Sequence, residues 1–223
     1  FFFVLPHLVM PLCPLPVALT CFACFAVELG TQMTISVPAR ILRPTVTKYT
    51  GRFTFLTVQS NFLGVLYFLG VLLSGWVVKA PALEAILVRT FPLCFSLGFF
   101  LTPAYYVLDH FQDASKQIRQ KFSDKFPYVY VAAHLEHCFA APAVVLYARF
   151  FTLTVGIADI LFFVGGYASF YVAFSILTKC ATGEWVYPVF DEVEAAGGKL
   201  GIAAFFTVLV SLFVALGFLG TVL

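Results

Sequence analysis

Six apolar stretches, each near the length that crosses a bilayer, constrain this chain more than any other feature. A spanning helix needs about 20 predominantly apolar residues. The stretches run approximately from Val4 to Val27, Phe53 to Val78, Ile86 to Leu108, Phe126 to Tyr147, Thr152 to Leu177 and Leu200 to Leu223. Prolines 6, 11, 14 and 16 make the start of the first one irregular. In lipid, a single segment satisfies its own backbone N–H and C=O groups only as a helix. The expected fold is therefore all-α: a polytopic membrane protein, a bundle of about six transmembrane helices forming one domain over residues 1–223. Composition agrees. The chain is 61% hydrophobic and 11% charged, against about a quarter charged in a soluble domain. The 28 phenylalanines suit lipid-facing surfaces, and a net charge of +2 gives no reason to invoke nucleic acid. No repeat of fixed period stands out. Both ends look cropped: the chain starts FFFVLPHLVMP without Met and stops within the hydrophobic run GFLGTVL. The lack of a visible presequence thus says nothing about the compartment.

The loops alternate in charge. Arg40, Arg43, Lys48 and Arg52 follow the first span, Lys116, Arg119, Lys121 and Lys125 follow the third, and Lys179 and Lys199 flank the turn after the fifth. These are ten of the thirteen Lys and Arg; only Lys79, Arg89 and Arg149 fall on the other side. The positive-inside rule puts the ten on the cytosolic side, or on the matrix side of a mitochondrial inner membrane. Endomembrane, plasma membrane and mitochondrial inner membrane all stay open. The segment DASKQIRQKFSDK (113–125) reads as a solvated loop helix, with an anionic membrane surface as the alternative. Five of the six cysteines lie in apolar runs and read as reduced packing residues, including Cys21 and Cys24 in their CxxC spacing.

The fourth span contains AAHLEHCFAAPAVVLY, an apolar run interrupted by His134, Glu136 and His137. Ionisable groups in lipid cost a few kcal/mol each by insertion scales, so they ask for a reason. His134 and His137 share one helix face, with Glu136 pointing away from it. His137 lies about 16 Å beyond the entry at Phe126. The pair reads either as a proton-transfer site or as interhelical hydrogen-bonding histidines. A metal site is poorly supplied, because only His7 and His110 remain as further histidines; no cofactor is expected. The second span opens with Thr54, Thr57, Ser60 and Asn61, of which Thr57 shares a face with Ser60 and Asn61. A threonine inside a membrane usually bonds its own helix carbonyl and becomes reactive only where a base reaches its hydroxyl. Arg89, Glu136 and Asp159 read as the intramembrane charges, with Asp159 beginning span five or pairing with Arg149.

Three blocks in order, RFTFLTVQSNFLGVLYF, HLEHCFAAP and CATGEWVYPVF, resemble the androgen-induced and androgen-dependent TFPI-regulating protein family. The resemblance covers most of the chain, from about residue 20 to residue 220. It rests on Phe55-Leu56-Thr57, on His134, His137 and Pro142, and most specifically on Thr182-Gly183-Glu184-Trp185-Val186-Tyr187-Pro188. It implies a multi-span membrane hydrolase of fatty acid esters of hydroxy fatty acids. Thr57 is then the nucleophile and His137 the base. His134, Asn61, Trp185 and Tyr187 are this reading's own candidates for binding substrate or supporting the site. The chain departs from the family pattern at Glu136, Cys138 and Ser60, where an uncharged residue, a hydroxyl and an acid are expected. Trp185 and Tyr187 suit interfacial anchoring first and the lining of an acyl-chain mouth second. Asn61, Tyr187 and a backbone amide are all open as oxyanion donors. Membrane lipids and a lipid ester substrate are the expected partners. The alternative is an accessory subunit of a larger membrane complex that keeps the fold, with or without the chemistry; a transporter or channel comes third. The hydrolase reading requires Thr57, shallow in its span, to meet the deeper His137, so one of the two helices must tilt or start irregularly.

Overall fold

The computed structural model describes residues 13–78, 80–151 and 154–223, without the side chains of residues 114 and 115. Six helices among them are long and apolar enough to cross a membrane: α1 (Leu15–Thr34), α2 (Leu56–Val77), α3 (Pro81–His110), α4 (Val129–Ala148), α5 (Ile157–Thr182) and α6 (Pro188–Leu219). The protein is an all-α integral membrane bundle. The part of the first predicted span from Val4 to residue 12, with His7, lies outside the described residues, as do Lys79 and Thr152.

Two boundaries differ from the hydropathy reading for physical reasons. The first helix continues past Val27 to Thr34. Glu28, Thr31 and Gln32 look like a polar end in sequence, yet all three are buried against neighbouring helices. The sixth helix begins at Pro188, twelve residues before the predicted Leu200, and bends at Gly198 (φ 58°, ψ −153°). A left-handed residue ends the apolar periodicity there, and only glycine enters that region without steric cost.

Helix α3 is the centre of the bundle. It packs against α2 and the second half of α4 on one side and against α5 and α6 on the other, while α1 closes on α2 and α4. Between lipid-facing helices there is no hydrophobic driving force, so van der Waals fit and buried polar contacts hold them together. Phe25, Phe68, Phe91 and Phe95 are fully buried at the centre. Gly64 on α2 lets the Phe25 ring approach so closely that a Cβ there would collide with it. The outward surface is apolar, with Leu200 80% and Phe162 72% exposed, as contact with acyl chains requires. The loops after α1 and α5 meet at one end, where Arg43 donates to the Trp185 carbonyl (2.9 Å) and lies 3.6 Å from Glu184. At the opposite end Asp159, in the first turn of α5, pairs with Arg89 (2.7 Å) and not with Arg149.

The fourth span is not one continuous helix. It is helical over Val129–Leu135 and again over Ala140–Ala148, and unwound between. Pro142 favours the interruption, although α3 runs unbroken through Pro92 and Pro103, so the partners of the freed groups matter as well. Pro142 has no N–H for the residue-138 carbonyl, and its ring would crowd that carbonyl in an unbroken helix. The freed backbone groups must be paired inside the bundle. The Phe139 and Ala140 amides donate to Glu28 Oε1 (2.6 and 2.9 Å). Asn61 Nδ2 donates to the Glu136 carbonyl (3.2 Å) and Thr102 Oγ1 to the His137 carbonyl (2.5 Å). Three helices therefore contribute one side chain each to hold the break open.

Candidate active site

The break in α4 is what turns His137 toward α2. Its Nε2 lies 3.4 Å from Thr57 Oγ1. Its Nδ1 faces the Ala133 carbonyl at 2.8 Å. A carbonyl only accepts, so Nδ1 carries the imidazole proton and Nε2 presents a lone pair to the threonine hydroxyl. The ring is clamped by Tyr105, which stacks on it with centroids 4.1 Å apart and planes 8° from parallel. Thr57 stands in the first turn of α2, just past a tight turn over Gly51–Thr54. The irregularity that brings a shallow residue and a deep one together thus lies mainly in α4. A hydroxyl facing the unprotonated nitrogen of an oriented imidazole is the arrangement that makes an alcohol nucleophilic.

Both side chains open onto a cavity of about 340 Å³, within the range of small-molecule sites. Phe100, Leu101, Leu209 and Phe213 make its deep end apolar. Toward the loops it becomes charged, with Arg43, Arg52, Asp109, Arg119 and Glu136 on its wall. Glu136 therefore faces the same cavity as His137 and accepts from the Ser36 hydroxyl; unwinding removes the helical phase that would have turned it away. Burial of its guanidinium pulls Arg52 below the ordinary arginine range, and that group donates to the Ser36 and Val37 carbonyls (3.0 and 2.7 Å). From the connecting helix Asp113–Ser123, Ile118, Arg119 and Phe122 cover the charged end. Arg119 is tied down by Asp109 (2.9 Å) and the His110 carbonyl (2.7 Å).

The other residues singled out from the sequence are distributed unevenly. His134 does not reach Thr57; its Nδ1 lies 3.1 Å from the Tyr106 hydroxyl, and its ring sits 4.8 Å from that of His110. Asn61 is fully buried and its amide nitrogen is committed to the α4 break. Trp185 is 4% exposed, donates from Nε1 to Glu194 (2.8 Å) and packs on Phe190 and Phe206. It is a packing hub inside the turn, not an outward-facing anchor. Tyr187 lines the cavity, with its hydroxyl oxygen accepting from the Leu56 amide (2.9 Å).

Sequence reasoning missed Tyr105, Thr102 and Glu28. Nothing in spacing marks the first two. Glu28 did carry a signal, a carboxylate within the apolar run CFACFAVELGTQM; an intramembrane ionisable residue is by default a site hypothesis, but the span was ended one residue before it.

Comparison with curated proteins returned no match, and comparison with solved structures returned none either. Compared with models of protein families, residues 15–221 match that of the FAR-17a/AIG1-like proteins, and the chain belongs to that family.

Proposed function

We propose that this chain is an intramembrane hydrolase of lipid esters, of the class of fatty acid esters of hydroxy fatty acids. The observation that carries the reading is the 3.4 Å approach of Thr57 Oγ1 to the unprotonated nitrogen of His137 at the wall of a cavity with an apolar end. The apolar end suits an acyl chain. The arginines at the loop end suit a free carboxylate on the same substrate.

Thr57 Oγ1 bonds to the ester carbonyl carbon as its proton passes to His137 Nε2, and the carbonyl pair moves onto oxygen. Collapse of that intermediate breaks the ester C–O bond, and the leaving alkoxide takes the proton from His137. Water repeats the sequence on the acyl-threonine and releases the acid. The Ala133 carbonyl holds the imidazole tautomer, and its interaction with Nδ1–H strengthens once the ring is charged. Tyr105 restrains the ring in that plane.

Purified protein in lipid nanodiscs is expected to hydrolyse a branched fatty acid ester and to accept a fluorophosphonate probe on Thr57. Full turnover after Thr57→Ala or His137→Ala, with the variant still folded, would overturn the assignment. A folded wild-type chain with neither turnover nor label would point instead to the scaffold role.

A further inference from the structure

Tyr187 occupies a position in the site that its sequence motif alone does not explain. Its hydroxyl oxygen accepts from the Leu56 amide at 2.9 Å, immediately before the nucleophile in the chain. The Thr57 and Tyr171 side chains also lie beside that hydroxyl. Donor accounting then decides where its proton is free to go. The Leu56 amide only donates. The Tyr171 hydroxyl donates to the Thr54 carbonyl (3.1 Å), so its proton is already committed. The Thr57 proton is directed at His137. The Tyr187 proton then has no backbone acceptor; its neighbours are the hydroxyl oxygens of Tyr171 and Thr57, neutral acceptors that a charged oxygen in the cavity would outcompete.

We infer that the Tyr187 phenol is the oxyanion donor of this site, giving its hydrogen bond to the ester oxygen as that oxygen gains charge; the inference rests on the Thr57–His137 hydrolase reading. As Thr57 bonds to the carbonyl carbon, the displaced electron pair collects on the oxygen. The Thr57 proton goes to His137, and Tyr187 shares its own proton without losing it. Three other side-chain donors nearby already make bonds elsewhere. Asn61 Nδ2 is held by the Glu136 carbonyl, the Tyr105 hydroxyl lies against His110 (3.1 Å), and Arg52 donates to two backbone carbonyls. Burial pushes the Tyr187 phenol above its ordinary value, so it remains protonated at neutral pH.

The surrounding turn is built to hold this group still. Trp185 is fixed through Glu194 and Arg43, the Tyr187 ring packs near Phe55 and edge-on to Phe190, and Pro188 starts α6 directly afterwards. A preorganised donor of this kind acts on the transition state more than on bound substrate, so its loss falls on kcat.

The test uses the full chain in nanodiscs with a branched fatty acid ester. Tyr187→Phe is expected to lower kcat by about 10²-fold or more, with KM changed by less than about threefold. Because that variant also removes the acceptor for the Leu56 amide, a second form carries 3-fluorotyrosine at position 187. Fluorination makes the phenol a stronger donor and a weaker acceptor. A donor role keeps or raises kcat in this form; a purely structural role lowers kcat together with the thermal midpoint. The inference is overturned if Tyr187→Phe keeps kcat within about threefold while Thr57→Ala is inactive, or if the fluorinated form loses rate and stability together. If Tyr187→Phe does not fold, the fluorinated form decides alone. An inactive wild type, or an active Thr57→Ala, would sink the hydrolase reading itself and this one with it.

Discussion

His134 and His137 stand three residues apart in one span, and they meet different surroundings. His134 belongs to the outer cluster, beside the Tyr106 hydroxyl and the His110 ring. His137 lies in the unwound segment, tied at one nitrogen to a backbone carbonyl and facing an alcohol with the other. Residue type is the same for both, and an unbroken helix would put them on one face. The difference is made by the break at which Pro142 stands and that Glu28, Asn61 and Thr102 keep satisfied. An intramembrane histidine is thus defined by what holds its second nitrogen, not by its spacing in the chain.

The largest effect that would test this contrast is on turnover. His137→Ala and Thr57→Ala should each lower kcat by about 10³-fold or more. His134→Ala should lower it by only about threefold, the scale of one interhelical hydrogen bond of about 0.6 kcal/mol. Equal losses from the two histidines would erase the distinction.

Next in size is the support of the break. Glu28→Ala leaves two buried amides without their acceptor, and stability should fall by about 2–4 kcal/mol, read as a lower thermal midpoint in detergent. Glu28→Gln should lose less, because an amide oxygen can still accept. A Glu28→Ala protein as stable as wild type would mean that the unwound segment needs no partner from α1.

The pH response separates the histidines by sign. His137 acts only while Nε2 is unprotonated, so turnover should fall toward low pH along a single-proton limb. The limb should survive in His134→Ala and vanish from the residual rate of His137→Ala. The smallest effect belongs to the far end of the bundle. Arg89→Ala breaks the pair with Asp159, whose arginine side chain is 55% exposed. It should cost at most about 1 kcal/mol and leave kcat unchanged.

Much of this architecture was readable from the chain. The ten basic residues grouped by loop, and the loops after α1 and α5 do meet at one end through Arg43 and the Trp185 carbonyl. Thr57, His137 and Tyr187 were named on resemblance, and they line one cavity. Less was readable where polarity and depth disagree. Glu28 and Gln32 looked like the polar end of a span, although both are fully buried. Trp185 looked like an interfacial anchor, but its indole turns inward to Glu194. Hydropathy averages over a window and cannot tell a polar side chain facing water from one facing a backbone group of another helix.

By itself the sequence determined the number of helices and the membrane as their solvent. Those follow from the length of apolar runs and from the demand that each run satisfy its own backbone. It also contained one contributor to the break, Pro142, which cannot donate a hydrogen bond; α3 stays helical through Pro92 and Pro103, so that alone does not decide it. Only the tertiary structure decided which histidine meets the threonine, which tautomer it holds and which phenol stands beside the pair. Those outcomes depend on distances of about 3 Å between helices far apart in sequence, and such distances are set by how broken and bent helices pack, which no periodicity along a single helix encodes.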